Sequence, residues 1–136
     1  MSNKNTGRIL IADDEPNIRR VIEAVLTKDG YEVISAENGK RALDAVSTNT
    51  DIDVLISDLI MPDINGVELL EAARQINPSI SVIMITAHGT IKSAVDAMRL
   101  GAFDYITKPF DMDELKLVVK RAFERRSLIE ENLDLR

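Results

Sequence analysis

An acid closes the apolar run in Val54-Leu55-Ile56-Ser57-Asp58, and two more follow a similar run in Ile9-Leu10-Ile11-Ala12-Asp13-Asp14. Carboxylates in such places either cap a helix start, where free N–H groups and the positive dipole end favour them, or act together as ligands and nucleophile. Asp13-Asp14-Glu15-Pro16 suits the first role when taken alone, and Asp58 alone suits either. Two other groups bear on the choice: Thr86 ends the run Val82 to Thr86, and Lys108 follows Asp104 to Thr107. Carboxylates gathered in one crevice repel each other, and burial raises their pKa values unless a cation offsets the charge. The chain has no cysteine and one histidine, His88, so its metal donors are oxygens. That donor set points to Mg²⁺ and away from metals that prefer thiolate or imidazole. A carboxylate flanked by a divalent cation, an ammonium and a hydroxyl is equipped to attack phosphorus and become an acyl phosphate.

For these groups to meet, the chain must bring several strand ends together. Its pattern alternates short β-rich runs with helical ones, five of each. The strands are expected at Ile9 to Ala12, Glu32 to Ala36, Val54 to Ser57, Val82 to Thr86 and Asp104 to Thr107. The first, third and fourth are almost wholly apolar, as strands covered on both faces of a parallel sheet should be. Ile18, Val21, Ile22 and Val25 keep helical spacing, as do Val67, Leu70 and Ala73, and Ile91, Ala94, Val95 and Met98; a further helix around Leu43 and Val46 is the least marked. Pro16 suits a first helical turn, Asp29-Gly30 and Leu100-Gly101 suit helix ends, and Asn77-Pro78 stops the helix after Gly66. Five βα units imply right-handed crossovers and an α/β fold: a flavodoxin-like, doubly wound five-stranded parallel sheet in the order 2-1-3-4-5, the last helix extended. Functional groups of such sheets gather beyond the carboxyl ends of the strands, where the order reverses. Asp13, Asp14, Asp58, Thr86 and Lys108 all lie at strand ends, and only the outer second strand lacks such a group.

The whole chain sets outer limits. Its 136 residues suffice for one domain with a real core. A net charge of -6 is the wrong sign for nucleic acid or an anionic membrane as main partner, and 4% aromatic residues argue against a base-stacking platform. No window is apolar enough to span a membrane. Residues 1–7 are polar and lead straight into the first strand without a signal-peptide core, so a cytoplasmic location is expected.

The stretches "ILIADDEP", "VLISDLIMPDINGVELL", "VIMITAHG" and "GAFDYITKPF" resemble, in order, the signatures of a two-component response-regulator receiver domain. The resemblance covers residues 8 to 124 and is specific because the motifs occur jointly. It implies that Asp58 is the phosphoacceptor, that Asp13 and Asp14 bind Mg²⁺, and that Ile60 offers its backbone carbonyl to the same ion. It further implies that Thr86 contacts the phosphoryl group, that Lys108 pairs with it, and that Tyr105 turns inward when the phosphorylated site draws the Thr86 hydroxyl. The alternative for Tyr105 is a half-buried strand tyrosine with its hydroxyl in water. The resemblance also implies a cis Lys108–Pro109 bond, and it places His88, like Ile60, where receivers tune acyl-phosphate hydrolysis. Otherwise His88 is an exposed loop residue. Met61-Pro62-Asp63 and Gly66 read as turn chemistry without a catalytic role.

The expected function is a switch and not an enzyme acting on others: a sensor histidine kinase donates the phosphoryl group, and the surface around the fourth helix, fifth strand and fifth helix responds. "AHGTIKSAVDAMRLGAFDYITKPFDMDEL" and "ERRSLIEENLDLR" are similar to receivers that precede an ATPase domain in sigma-54-dependent, NtrC-type transcription activators, which implies ATPase and DNA-binding segments outside this chain. Residues 1–7 are expected to be a frayed N-terminus, 8–124 the receiver, and 125–136 an extension of the last helix serving as linker or dimerisation segment. Val119, Ala122, Arg126, Ile129 and Leu133 follow coiled-coil spacing, with Arg126 interrupting. An Asp-nucleophile phosphatase would share the chemistry but needs a substrate-specificity segment. A flavin-binding flavodoxin would share the sheet but needs a phosphate-cradling first loop, and here that loop is acidic.

Overall fold

The computed structural model describes residues 7–49, 51–87 and 89–134, with side chains up to 125. Strands and helices alternate as β1 (Arg8–Ala12), α1 (Pro16–Lys28), β2 (Glu32–Ala36), α2 (Gly39–Thr48), β3 (Val54–Asp58), α3 (Gly66–Ile76), β4 (Ser81–Thr86), α4 (Ile91–Arg99), β5 (Asp104–Thr107) and α5 (Met112–Asp134). All strands pair in parallel in the order β2-β1-β3-β4-β5, as the pattern of five βα units implies.

Alternation along the strands builds two cores. Ile9, Ile11, Val54, Ile56, Ile83 and Ile85 point to the face covered by α1 and α5, where Ile22, Leu26, Leu115, Val119 and Ala122 meet them. Leu10, Leu55, Val82 and Met84 point to the other face, covered by α2, α3 and α4 through Ala42, Val46, Leu69, Leu70, Ala73 and Ala97. Each fully buried Ile or Leu contributes about 1.5–3 kcal/mol. This two-sided burial explains why the central strands read as unbroken apolar runs.

Local signals set the helix starts. Pro16 opens α1, Asn38 caps α2 by accepting from the Arg41 amide at 2.8 Å, and Asn65 with Glu68 forms a reciprocal capping box on α3. Gly30 and Gly101 follow α1 and α4 with positive φ. The α1 stripe is rotated slightly from the expected one, since Leu26 is buried while Val21 is half exposed.

Helix α4 departs further from expectation. Its periodic apolar face is present but faces solvent: Ile91 is 86% exposed, Val95 46% and Met98 46%, and the residue it buries is Ala97. Periodicity locates a face without saying what covers it. The inner face here is built of small side chains, and the larger apolar ones remain outside.

Helix α5 runs unbroken across the expected boundary at 124. Arg125 donates to the Ser81 hydroxyl at 2.9 Å and lies over the Phe103 ring, so it still belongs to the packed domain. Arg126, Ile129 and Leu133, the outer part of the expected seam, have side chains outside the described residues, as does His88 in full.

Candidate functional site

The parallel order brings the carboxyl ends of β1, β3, β4 and β5 to one edge. Asp58 is the last residue of β3, paired with Ile85, rather than following the strand. Asp13 and Asp14 come directly after β1, Thr86 ends β4, and Lys108 comes directly after β5. The backbone N–H of Lys108 donates to the Thr86 carbonyl at 2.8 Å, which aims the lysine back over the acids. Its ammonium donates to Asp13 Oδ2 at 3.1 Å and to Asp58 Oδ2 at 3.2 Å, with Glu15 Oε1 at 3.5 Å.

Among the described residues, Asp13, Asp14 and Asp58 each offer a carboxylate oxygen, all within 4.8 Å of one another. The three acids differ in setting. Asp13 is fully buried: its Oδ1 accepts from the Glu15 amide at 2.9 Å, its Oδ2 from Lys108, and its carbonyl from Arg19 Nη1 at 2.6 Å. Asp58 is 7% exposed and its Oδ1 is 3.4 Å from the Ile60 amide, while Asp14 is exposed. Burial raises the pKa of Asp13 despite the Glu15 amide and Lys108, which both favour its charged form. Burial works against the Lys108 charge as well, but the Asp13 and Asp58 carboxylates outweigh it and hold the ammonium above its ordinary range.

Three carboxylates against one ammonium leave an uncompensated negative charge in a half-enclosed site. The all-oxygen donor set fits a hard divalent cation such as Mg²⁺, bound by one or two carboxylates with water and phosphate completing its shell. Glu15, which precedes α1, makes no side-chain bond to the helix start, whereas the Asp13 carboxylate accepts from the Glu15 amide and so serves both the turn before α1 and the acid cluster. Ile60 lies two residues beyond Asp58 with its side chain exposed, so the chain there turns along the rim of the same site. The Lys108–Pro109 bond is cis.

Tyr105 is half buried against the core on the α4 side, and its hydroxyl meets Ser93 Oγ at 2.9 Å. The sequence reading gives three contributors no part in the site, Asp63 entering it only as turn chemistry. Arg19, one turn into α1, holds the Asp13 carbonyl; a basic residue four positions after Glu15 was the available signal. Asp63 accepts from the Gly39 and Lys40 amides at 3.1 and 2.9 Å, tying the loop after β3 to the start of α2. Desolvation is the largest single effect and opposes its charge, but the amides of Lys40, Ile64 and Gly39 together outweigh it and lower its pKa. Ser93 is the third.

Sheet order and acid cluster together are those of a signal-receiving domain. Comparison with protein families agrees, since residues 9–120 match the response regulator receiver domain, and the chain belongs to that family. Two curated relatives are full-length regulators. The chain is 41% identical over 125 residues to the regulatory protein AtoC of Escherichia coli, covering 92% of this chain and 27% of AtoC. It is 46% identical over 116 residues to the DNA-binding transcriptional regulator NtrC of Klebsiella pneumoniae, covering 85% of this chain and 24% of NtrC. The chain thus spans about a quarter of the length of these relatives. Among solved structures, NtrX from Brucella abortus in complex with ADP superposes with a TM-score of 0.88 at 36% identity, over 96% of this chain and 30% of that one. A receiver domain protein from Clostridium thermocellum gives 0.86 at 35% identity, over 90% and 98%. The chain is therefore a regulatory phosphoacceptor domain of the two-component class, related to NtrC-type activators. Among the described residues no helix is long and apolar enough to cross a membrane.

Proposed function

We propose that this domain accepts a phosphoryl group on Asp58 from the phosphohistidine of a sensor kinase and uses it to control an output domain of a transcription activator. The observation that carries the reading is the meeting of Asp13, Asp14, Asp58 and Lys108 at one sheet edge. A carboxylate oxygen of Asp58 attacks phosphorus, the bond to the donor's imidazole nitrogen breaks, and the imidazole leaves. Lys108 pairs with the transferred group, and the Thr86 hydroxyl donates to it. Asp14, exposed and beside Asp58, would hold Mg²⁺ together with Asp58, the Ile60 carbonyl and Asp13. When bound, the ion supplies positive charge against the phosphoryl oxygens. Water later attacks the acyl phosphate and regenerates Asp58, which makes the signal self-limiting.

The Thr86/Tyr105 pair then biases the surface of α4, β5 and α5. The exposed Ile91, Val95 and Met98 give that surface the apolar character of an interface, and a homodimer through it and the end of α5 is the arrangement we favour. The receiver spans residues 8–124 with Arg125 packed onto it, and the rest of α5 leads to ATPase and DNA-binding segments. In this reading the protein works in the cytoplasm. Nucleic acid and membrane contact lie outside this segment's role.

Incubation with acetyl phosphate and Mg²⁺, followed by intact-mass analysis, should show one added phosphoryl group that hydroxylamine removes. An adduct that persists in Asp58→Asn, or that resists hydroxylamine as a phosphoserine at Ser57 would, removes Asp58 from the role.

A further inference from the structure

Helix α4 begins with an unusual capping arrangement. The Thr90 side chain accepts from the Ser93 amide at 3.0 Å, and Ser93 Oγ accepts from the Thr90 amide at 2.8 Å, so the box is reciprocal. The position three residues into such a box more often carries Glu or Gln, as Glu68 does on α3 of this chain. A serine hydroxyl is shorter, and here it lies where a third residue reaches it. Ser93 Oγ is also 3.0 Å from the Thr90 carbonyl and 2.9 Å from the Tyr105 hydroxyl.

A serine hydroxyl has one proton and two acceptor lone pairs. The Thr90 amide occupies one lone pair, and the Thr90 carbonyl can only accept. Every group is satisfied in one arrangement: Ser93 donates its proton to the Thr90 carbonyl, and Tyr105 donates its own to the remaining lone pair of Ser93. The loop leaves room for this, because a Cβ on Gly89 would collide with the Tyr105 hydroxyl. The helix served by the box has little else to hold it, with Ala97 as its buried residue and its large apolar side chains in solvent.

We propose that Ser93 is the positioning residue that couples the Tyr105 side chain to the N-terminus of α4, so that movement of the tyrosine withdraws a hydrogen bond from the cap of a thinly packed helix. This deepens the regulatory part of the function proposed above, since it names the residue through which Tyr105 acts. Thr86 and Tyr105 supply the movement, and Ser93 converts it into a change in the first turn of α4.

Amide hydrogen exchange of α4 in the whole chain tests the coupling, first without phosphoryl donor and with the β3 amides as folding control. Tyr105→Phe leaves every atom of the box in place. It should nevertheless raise exchange at the Thr90 and Ser93 amides by about 5-fold, the worth of one net hydrogen bond. Ser93→Ala should raise it further, Ser93→Thr should restore it, and the double variant Ser93→Ala/Tyr105→Phe should exchange no faster than Ser93→Ala. Unchanged α4 protection in Tyr105→Phe, or effects that multiply in the double variant, would overturn the proposal. Acetyl phosphate and Mg²⁺ are then added to the wild type. Failure to phosphorylate would count against Asp58 as phosphoacceptor, while the exchange cycle in the unmodified protein would still decide the role of Ser93.

Discussion

Replacing Lys108 by methionine removes the one ammonium that faces three acids while keeping the volume of its stem. The lysine side chain is 10% exposed, and its ammonium lies 3.1 Å from Asp13 and 3.2 Å from Asp58, whose side chains are 0% and 9% exposed. At an effective dielectric of about 20, each contact has a gross attraction of about 5 kcal/mol, much of it spent on desolvating the charges. Breaking a buried pair from one side costs about 3–5 kcal/mol because the partner is left uncompensated. The site opens to solvent at Asp14, so the lower end, about 3 kcal/mol, is expected for Lys108→Met in EDTA. For a domain of this size that is a fall of about 10 °C in Tm. Mg²⁺ should narrow the gap by restoring positive charge to the acids. The pH dependence has a definite sign. The folded pKa of Lys108 is raised, so its contribution is complete below the unfolded value of about 10.4 and fades as pH rises through the folded value. Denaturant melts at neutral and alkaline pH, with and without Mg²⁺, would show this. A variant as stable as the wild type, or a gap indifferent to Mg²⁺, would refute the electrostatic account of the site.

Mg²⁺ at about 100 times its Kd should add about 2.7 kcal/mol to the unfolding free energy, and Asp14→Asn should remove most of that gain in a titration followed by thermal melting. Asp63→Asn should destabilise the protein at neutral pH. The folded pKa of Asp63 is lowered, so its contribution exists above the unfolded value of about 3.9 and disappears as pH falls through the folded one; a gap that persists in strong acid would contradict the amide bonds as its cause. Ending the chain after Glu124 should cost about 1 kcal/mol relative to ending it after Arg125, because the bond from Arg125 to Ser81 is lost. Equal urea midpoints for the two would place the domain edge earlier. Both truncations should weaken self-association in sedimentation, and an unchanged oligomeric state would remove the dimer role of the terminal helix.

What was legible in the sequence follows from what each signal reports. Ile9 to Ala12, Val54 to Ile56 and Val82 to Ile85 are apolar because helices cover both faces of the sheet, so their pattern already implies parallel strands. Once the strand order is known, the positions of Asp13, Asp14, Asp58, Thr86 and Lys108 at strand ends place them together without side-chain detail. The roles of Arg19, Asp63 and Ser93 needed more, since each rests on a bond whose existence depends on the exact course of a loop. Asp63 reaches back 24 residues to Gly39, and Ser93 forward 12 to Tyr105. Neither spacing is a helical or strand period, so no pattern marks it. The α4 stripe was visible as Ile91, Ala94, Val95 and Met98, but its partner is not encoded in its own periodicity, and the face turned out to be open. Arg125 shows the same limit at the domain edge, where an unbroken helical pattern gives no sign of its bond to Ser81.

The central claim is that Asp58 carries the phosphoryl group. After reaction with acetyl phosphate and Mg²⁺, borohydride reduces an aspartyl phosphate to homoserine with loss of phosphate, and tandem mass spectrometry of the digested protein locates that residue. Homoserine at position 58, requiring both Mg²⁺ and the donor, is the predicted result. Homoserine at Asp13, Asp14 or Asp63, or an intact Asp58 in a protein that has nevertheless gained a phosphoryl group, would contradict the account.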